Sequence, residues 1–196
     1  MTVQPIPTLT TGRLILKPFT PADVPEVHRL AGAREIADTT LAIPHPYSLE
    51  MAENWISTHG EQFTSGQMAT FAVTLRERDR LIGAISLKIE AVHERAGMGY
   101  WIGREFWGNG YCSEAAGRIL AYGFTERCLN RIEAGHFSRN PASGRVMQKI
   151  GMTREGCLRS HIKKWDRFED VVCYAMLREE FQGGTEQTVY EKNGSR

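Results

Sequence analysis

The sequence predicts a mixed α/β fold built on one sheet, and three features of the chain carry that prediction. Apolar runs at 68–75 and 81–87 flank a charged turn, which is typical of an antiparallel hairpin. The strand-like run 96–102 leads into a glycine-containing loop and then into a helical pattern. A further strand at 131–137 precedes a helix at 140–150. A hairpin-rich half joined to a strand–helix–strand–helix half predicts a mixed sheet rather than a doubly wound one.

The remaining elements follow from prolines, caps and shorter apolar runs. Thr20 followed by Pro21 is typical of a helix start, and Ser48 is placed to cap another helix. The rest of the chain then divides into a strand at 13–18, a helix ending at Gly32, an irregular stretch at 33–47, a helix from Ser48 to Glu61, and closing strands at 152–155 and 170–177. All of it is expected to form one domain, 1–196, with a core at about 10–180 and a polar tail at 182–196.

Composition and charge exclude several classes of protein. The 196 residues carry 24 Lys and Arg against 23 Asp and Glu, which disfavours bulk binding to nucleic acid or to anionic membranes. The four cysteines lie too far apart for a zinc site or a redox pair, so no metal is expected. Residues 1–10 lack the apolar core of a signal peptide, and no apolar run approaches the ~18 residues of a membrane span. We therefore expect a cytoplasmic protein.

The segment Trp107-Gly108-Asn109-Gly110-Tyr111 predicts a loop that binds a pyrophosphate. Its two glycines let backbone N–H groups approach a ligand, and a helix N-terminus follows directly. Asn-Gly also favours a two-residue hairpin turn. The helical spacing of Ala116 and Ile119 favours the loop, with Ser113 as the expected N-cap and Glu114 in the first helical turn.

Four elements in order resemble the GNAT superfamily of N-acetyltransferases, and within it the ribosomal-protein N-terminal acetyltransferases of RimJ/RimL type. They are the run 11–16 (Thr-Gly-Arg-Leu-Ile-Leu), the strand and glycine loop at 99–115, the segment 140–152 that starts Asn-Pro-Ala-Ser, and 155–159 with Asp170 and Tyr174 beyond. The similarity spans residues 10–180. It implies a mixed sheet of about seven strands, splayed between the parallel strands 96–102 and 131–137, with helices on both faces.

The resemblance also implies acetyl-CoA as co-substrate, with its pyrophosphate on the glycine loop and its pantetheine arm along the first splayed strand. An amine then attacks the acetyl group directly, without a metal or an enzyme nucleophile. The cofactor-binding residues implied are Met98, Tyr100, Trp101, Ile102, Trp107, Gly108, Asn109, Gly110, Tyr111, Cys112, Ser113, Asn140, Ser143 and Arg145. A backbone N–H near 98–101 is expected to stabilise the oxyanion.

The chain differs from the family pattern at the positions that many members use for proton transfer. The tyrosine that many members use to protonate the CoA thiolate is Met147 here, and Ser143 is the candidate substitute. Ser143 also fits a simpler role at the helix start, and a thiolate with a pKa near ~8.5 can leave unassisted. Gly97 stands where many members carry an acidic residue on the splayed strand, which leaves Glu90, His93, Glu94 and His136. Of these we select His136 and Glu94 as candidate bases. The alternatives are a core histidine, an exposed glutamate and a chain of water molecules.

Charge around the predicted pyrophosphate site also differs from the family. Glu105 stands where many members carry Gln or Arg, so it is expected to point into solvent. Arg104, Arg118 and Arg145 are the arginines that could compensate, and Arg145 is the preferred one. The acceptor amine is expected between the stretch 33–46 and a polar loop at 160–170. The candidate contacts there are Arg34, Glu35, Tyr47 and Trp165.

The leading hypothesis is an acetyl-CoA-dependent N-acetyltransferase whose acceptor is a protein N-terminal amine. A small-molecule acetyltransferase acting on a polyamine, an aminoglycoside or an amino-acid-like metabolite is one alternative. A non-catalytic module that binds acyl-CoA is another, because Met147 and Gly97 do not help proton transfer. The acidic and basic residues of the acceptor segments balance, so their net charge does not distinguish among these acceptors. The chain fits either a monomer or a homodimer.

Overall fold

The computed structural model describes residues 5–182, in which eight strands form one sheet of order β1-β2-β3-β4-β5-β6-β8-β7. The strands are β1 Leu9–Thr10, β2 Leu14–Lys17, β3 Met68–Leu75, β4 Arg80–Glu90, β5 Arg95–Ile102, β6 Arg131–Phe137, β7 Thr153–Lys164 and β8 Arg167–Leu177. Neighbouring strands are antiparallel except β5 and β6, which are parallel. The mixed sheet confirms the predicted fold class. It has eight strands where about seven were predicted, and the additional strand is the two-residue β1. Apart from Gln182, the tail expected at 182–196 lies outside the described residues.

Six α-helices connect these strands in the described part of the chain. They are α1 Val24–Ala31, α2 Arg34–Thr39, α3 Leu49–Ser57, α4 His59–Thr64, α5 Tyr111–Ala121 and α6 Pro141–Lys149. The stretch 33–47 is therefore not wholly irregular, because it contains α2. The helix predicted from Ser48 to Glu61 is divided at Thr58 into α3 and α4. Ser48 caps α3 as predicted, since its side chain accepts a hydrogen bond from the Met51 N–H at 3.1 Å.

Both faces of the central strands are covered. Successive side chains of a strand point to opposite faces, yet every residue from Ala69 to Thr74 is buried. The same holds from Leu81 to Ile85 in β4. Each fully buried side chain such as Phe71 or Ile82 contributes roughly 1.5–3 kcal/mol of hydrophobic stabilisation. Central strands buried on both sides agree with the predicted helices on both faces of the sheet.

The closing strands are longer than expected. Residues 160–170 were expected to form a polar loop, but β7 and β8 pair as far as Lys164 and Arg167, with Trp165 at the turn in a positive-φ conformation. The prediction was wrong because this hairpin lacks an alternating apolar pattern. It is held instead by polar contacts, such as the Ser160 N–H donating to the Asp170 carboxylate at 2.7 Å. Among residues 5–182, no helix has both the length and the apolar composition that a bilayer crossing requires.

Candidate functional site

The sheet splits where its two parallel strands separate. β5 and β6 pair only from Arg95 to Gly97 against Arg131 to Glu133. Beyond that point β5 continues beside β4, whereas β6 continues beside β8. The edge of β5 from Met98 to Ile102 that faces β6 is therefore left without strand partners, and its backbone groups, apart from the Ile102 carbonyl, are available to a ligand.

A cavity of about 970 Å³ occupies this split. Of the predicted residues, it is lined by Met98, Tyr100, Trp101, Ile102, Trp107, Gly108, Gly110, Tyr111, Cys112, Ser113, His136, Asn140, Ser143 and Arg145, together with Tyr47. Its size is in the range of small-molecule sites, and its lining is mainly apolar with a few polar groups. The arrangement suits an elongated ligand that enters between β5 and β6.

The glycine loop forms one wall of the cavity. Gly108 and Gly110 have φ values of +80° and +78°, a conformation that favours glycine. In the described part of the chain, the N–H groups from Gly108 to Ser113 donate to no acceptor, and α5 begins at Tyr111. Free N–H groups at a helix N-terminus form an anion site, so the loop fits a pyrophosphate. The N-cap is Gly110 rather than the expected Ser113, because the helix starts three residues earlier.

Asn109 lies outside the cavity lining, contrary to expectation. Its side-chain amide donates to the carbonyls of Phe106 and Trp107, at 3.1 Å each. The indole N–H of Trp107 donates to the Ile102 carbonyl at 2.6 Å. Asn109 therefore holds the loop in shape rather than facing a ligand.

The N-terminal motif at 11–14 fixes the same loop from behind. The Glu114 carboxylate accepts hydrogen bonds from the Thr11 hydroxyl at 2.6 Å, from the Arg13 N–H at 2.9 Å and from Arg13 Nε at 2.7 Å. Arg13 also donates to the Asn109 carbonyl at 3.0 Å and lies over the Tyr111 ring. These bonds to the charged form hold the pKa of Glu114 below its ordinary value, although partial burial opposes them. Arg13 and Glu114 thus act as positioning residues for the loop.

The charges near the loop are arranged so that a carboxylate does not face it. Glu105 forms ion pairs with Arg29 at 2.9 Å and Arg80 at 2.6 Å on the protein surface, outside the cavity lining. Of the three arginines considered, Arg104 pairs with Glu35 and Arg118 pairs with Glu126. Only Arg145 lines the cavity.

Sequence reasoning missed Lys149, which also lines the cavity. It lies four residues after Arg145 on α6, and residues with that spacing share one face of a helix. The i,i+4 pair of basic residues was therefore the signal that could have identified it.

The hydroxyl groups of Tyr100 and Ser143 meet inside the cavity. Tyr100 reaches from β5 to the first turn of α6, where its oxygen lies 2.8 Å from Ser143 Oγ and 3.3 Å from the Ser143 carbonyl oxygen. Burial raises the pKa of Tyr100 well above its usual value, so the phenol stays protonated at working pH. Met147, at the position of the family's tyrosine, is fully buried in the core and outside the cavity.

The two candidate bases are placed very differently. His136 lines the cavity from β6, and its Nδ1 lies 2.8 Å from the Phe137 carbonyl oxygen. A Cβ at Gly144 would come within 2.7 Å of its Nε2, so the glycine in α6 makes room for the ring. Glu94 is exposed at the turn before β5, near the end where β5 and β6 are still paired. The structure therefore separates Glu94 from the cavity, and the expectation of a catalytic role for it does not hold.

Three of the four expected acceptor contacts lie outside the cavity. Glu35 forms an ion pair with Arg104, and Arg34 lies over the Trp165 ring with 5.9 Å to its centroid. Trp165 itself sits at the tip of the β7–β8 hairpin. Tyr47 is on the lining, and burial raises its pKa. The stretch 33–46 was expected beside the acceptor, and its part 39–44 lines the cavity. Lining residues that the sequence did not indicate include Thr70, Ser86, Met51 and Trp55.

Comparison with known proteins agrees with this geometry. The family described as acetyltransferase (GNAT) domain matches residues 13–153. The chain is 30% identical over 177 residues to the uncharacterized N-acetyltransferase p20 of Bacillus licheniformis, which covers 90% of this chain and 99% of that protein. It is 31% identical over 102 residues to the ribosomal-protein-serine acetyltransferase of Escherichia coli, 52% of this chain and 57% of the relative.

A solved structure of RimL, a ribosomal L7/L12 alpha-N-protein acetyltransferase in complex with coenzyme A, has a similar fold. Its TM-score is 0.80 at 20% identity, and the alignment covers 88% of this chain and 97% of that one.

Proposed function

The chain belongs to the GNAT family of acetyltransferases, which use acetyl-CoA as co-substrate, and from that premise we propose that it acetylates a protein N-terminal amine. The observation that carries this proposal is the cavity at the split between β5 and β6. It joins a pyrophosphate-type loop on one side to a mainly apolar space on the other. The names of the ribosomal-protein relatives support the N-terminal amine as acceptor.

The phosphate end of the cavity suits the charged part of acetyl-CoA. Six consecutive N–H groups from Gly108 to Ser113 are free among the described residues, and α5 points its N-terminus at them. Arg145 and Lys149 add positive charge on the facing helix. The exposed edge of β5 then offers N–H and carbonyl groups that can pair with the amides of the pantetheine arm.

The chemistry follows from that placement. The acceptor nitrogen forms a bond to the acetyl carbonyl carbon, and the carbon–sulfur bond breaks. Backbone N–H groups of β5 near Met98–Trp101 stabilise the oxyanion of the intermediate. The nitrogen loses one proton and the CoA thiolate gains one, so the transfer is balanced without a metal or a redox step. His136 Nε2 is the side-chain candidate for removing the proton, since Nδ1 is engaged by the Phe137 carbonyl.

Substitutions at the two hydroxyls test the proton donor. We expect Ser143→Ala to lower kcat at least about tenfold with little change in the KM for acetyl-CoA, because the thiolate loses its hydrogen-bond donor. Tyr100→Phe keeps the ring and removes only the group that orients Ser143, so we expect a smaller loss of kcat. Steady-state kinetics measure both effects. Unchanged kcat in both variants would show that neither hydroxyl is needed to protonate the thiolate.

Thiol-detected CoA release across a panel of amines tests the proposed function. The panel contains peptides with a free N-terminus and blocked lysines, peptides with a blocked N-terminus and free lysines, spermidine, an aminoglycoside and free amino acids. We expect turnover with the first group. Turnover confined to spermidine, the aminoglycoside or the amino acids would support a small-molecule acetyltransferase instead. Acetyl-CoA binding with no release on any amine would support a binding module.

A further inference from the structure

The acceptor end of the cavity lacks negative charge. This end is the part lined by Ile36, the segment 39–44, Met51, Trp55, Thr70 and Ser86. In the part of the chain that the structure describes, no aspartate or glutamate lines the cavity at all. A second positive charge on an acceptor would therefore lose its hydration in the cavity and find no carboxylate to pair with, which is unfavourable.

Three carboxylates on elements that border this end form ion pairs. Asp38 pairs with Arg139 at 2.8 Å and with Arg167 at 3.2 Å, and Glu169 pairs with the same two arginines. Glu35 pairs with Arg104. These ion pairs join α2 to Arg104, and they join α2 and the β7–β8 hairpin to Arg139, two residues before α6, so these three carboxylates serve the fold and are not available to a ligand.

The apolar wall of the acceptor end is fixed in place. The segment Leu41–Ile43 follows α2, and the buried Lys164 ammonium donates to the carbonyls of Leu41 at 3.3 Å and Ile43 at 3.0 Å. Trp55 is held in turn by edge contacts with Phe19 and His59. Because these contacts hold the apolar side chains in place, the wall cannot rearrange to present charged groups. It therefore selects acceptors by their shape and polarity.

One polar group at this end has no partner. Thr70 lines the cavity from β3, and its hydroxyl is buried without a hydrogen bond to any described residue. Ser86, its Cα partner on β4, lines the cavity beside it. The Thr70 oxygen has almost no accessible surface, so it is packed away from the cavity and does not select a ligand.

We infer that the acceptor is a primary amine whose adjoining group is apolar and uncharged. This inference rests on the proposed function and deepens it. For a protein N-terminus, it means a first residue such as Leu, Met or Phe. It excludes acceptors with a second cation close to the reacting amine, such as polyamines and peptides that begin with Lys.

Competition among peptides that differ only in their first residue tests the inference. With any other lysines blocked, we expect kcat/KM for Leu-first and Met-first peptides to exceed that for Lys-first peptides and spermidine at least about tenfold. Higher kcat/KM for spermidine or the Lys-first peptide would overturn the inference. If phenethylamine is acetylated and no peptide is, the proposed function fails while the apolar specificity stands.

A matched pair of variants on α3 tests the location of the selective wall. Met51 and Leu49 are both exposed on this helix, at 44% and 50%, but only Met51 lines the cavity. We expect Met51→Glu to reduce the preference for Leu-first over Lys-first peptides about tenfold, because it introduces a carboxylate at the acceptor end. Leu49→Glu adds the same charge outside the cavity and should leave the preference unchanged. An equal shift in both variants would contradict the assignment.

Discussion

Gly110→Asp raises the dissociation constant of acetyl-CoA at least about 100-fold in our account. Gly110 has φ +78° and forms the N-cap of α5, where free N–H groups face the cavity. Aspartate both strains this backbone conformation and places a negative charge where a pyrophosphate is bound. Each effect amounts to about 1–2 kcal/mol, and 1.4 kcal/mol is a tenfold change in affinity. Isothermal titration calorimetry measures the loss.

Two controls separate charge from backbone strain. Gly110→Asn has almost the shape and the backbone preference of aspartate but no charge, so we expect only the part of the loss that comes from strain, about tenfold. Gly66→Asp makes the same change at a glycine with φ +74° that has open space around it and lies outside the cavity. It should leave acetyl-CoA affinity unchanged. Wild-type affinity in a folded Gly110→Asp protein would show that the loop does not hold the pyrophosphate.

Acidification from pH 8 to pH 5 lowers the free energy of unfolding by about 2 kcal/mol through one residue, His59. Its side chain is buried against Phe19 and Trp55, with ring centroids 5.3 and 4.5 Å away. Neither ring nitrogen has a partner among the described residues, and burial lowers the pKa of His59 to about 4. An unfolded histidine has a pKa of about 6.5. Between these values the unfolded chain binds the extra proton, so stability is present at neutral pH and falls as the pH falls.

Urea denaturation at pH 8, 7, 6 and 5 measures this effect. The range stops at pH 5 because carboxylates with lowered pKa values, such as Glu114, lose their ion pairs only at lower pH. His59→Leu fills similar space without a titratable group and should remove most of the slope. His93→Leu changes an exposed histidine in the turn before β5 and should leave the slope as it is. A slope that persists in His59→Leu would assign the acid sensitivity to other groups.

Much of the fold could be predicted because its central strands are strongly apolar. The strands at 68–75 and 131–137 have the predicted boundaries, and the glycine loop lies between a strand and a helix as expected. The hairpin of β7 and β8 was missed because its stability does not come from an apolar alternation. It depends on Glu169 and Lys164, whose partners lie far away in sequence. The helix α2 was missed for a similar reason, since its N-cap Ala33 carries no capping side chain.

The site divides in the same way between local and long-range information. The loop from Trp107 to Ser113 is a local motif, so its residues could be selected from spacing alone. The contact between Tyr100 and Ser143 joins residues 43 positions apart, and that between Arg13 and Glu114 joins residues 101 positions apart. No local pattern encodes either contact. The acceptor side was predicted least well, because the side chains that line it come from four elements and the charged residues nearby pair with one another.

Mapping the acetylated atom shows directly whether this enzyme modifies a protein N-terminal amine. The substrate is one Leu-first peptide that carries a free α-amine and a single free lysine, incubated with acetyl-CoA and the enzyme. Tandem mass spectrometry then locates the acetyl group. Our account predicts acetylation of the α-amine, lost in Gly110→Asp and retained in Gly66→Asp. Acetylation of the lysine side chain alone, or no product from a protein that binds acetyl-CoA, would contradict it.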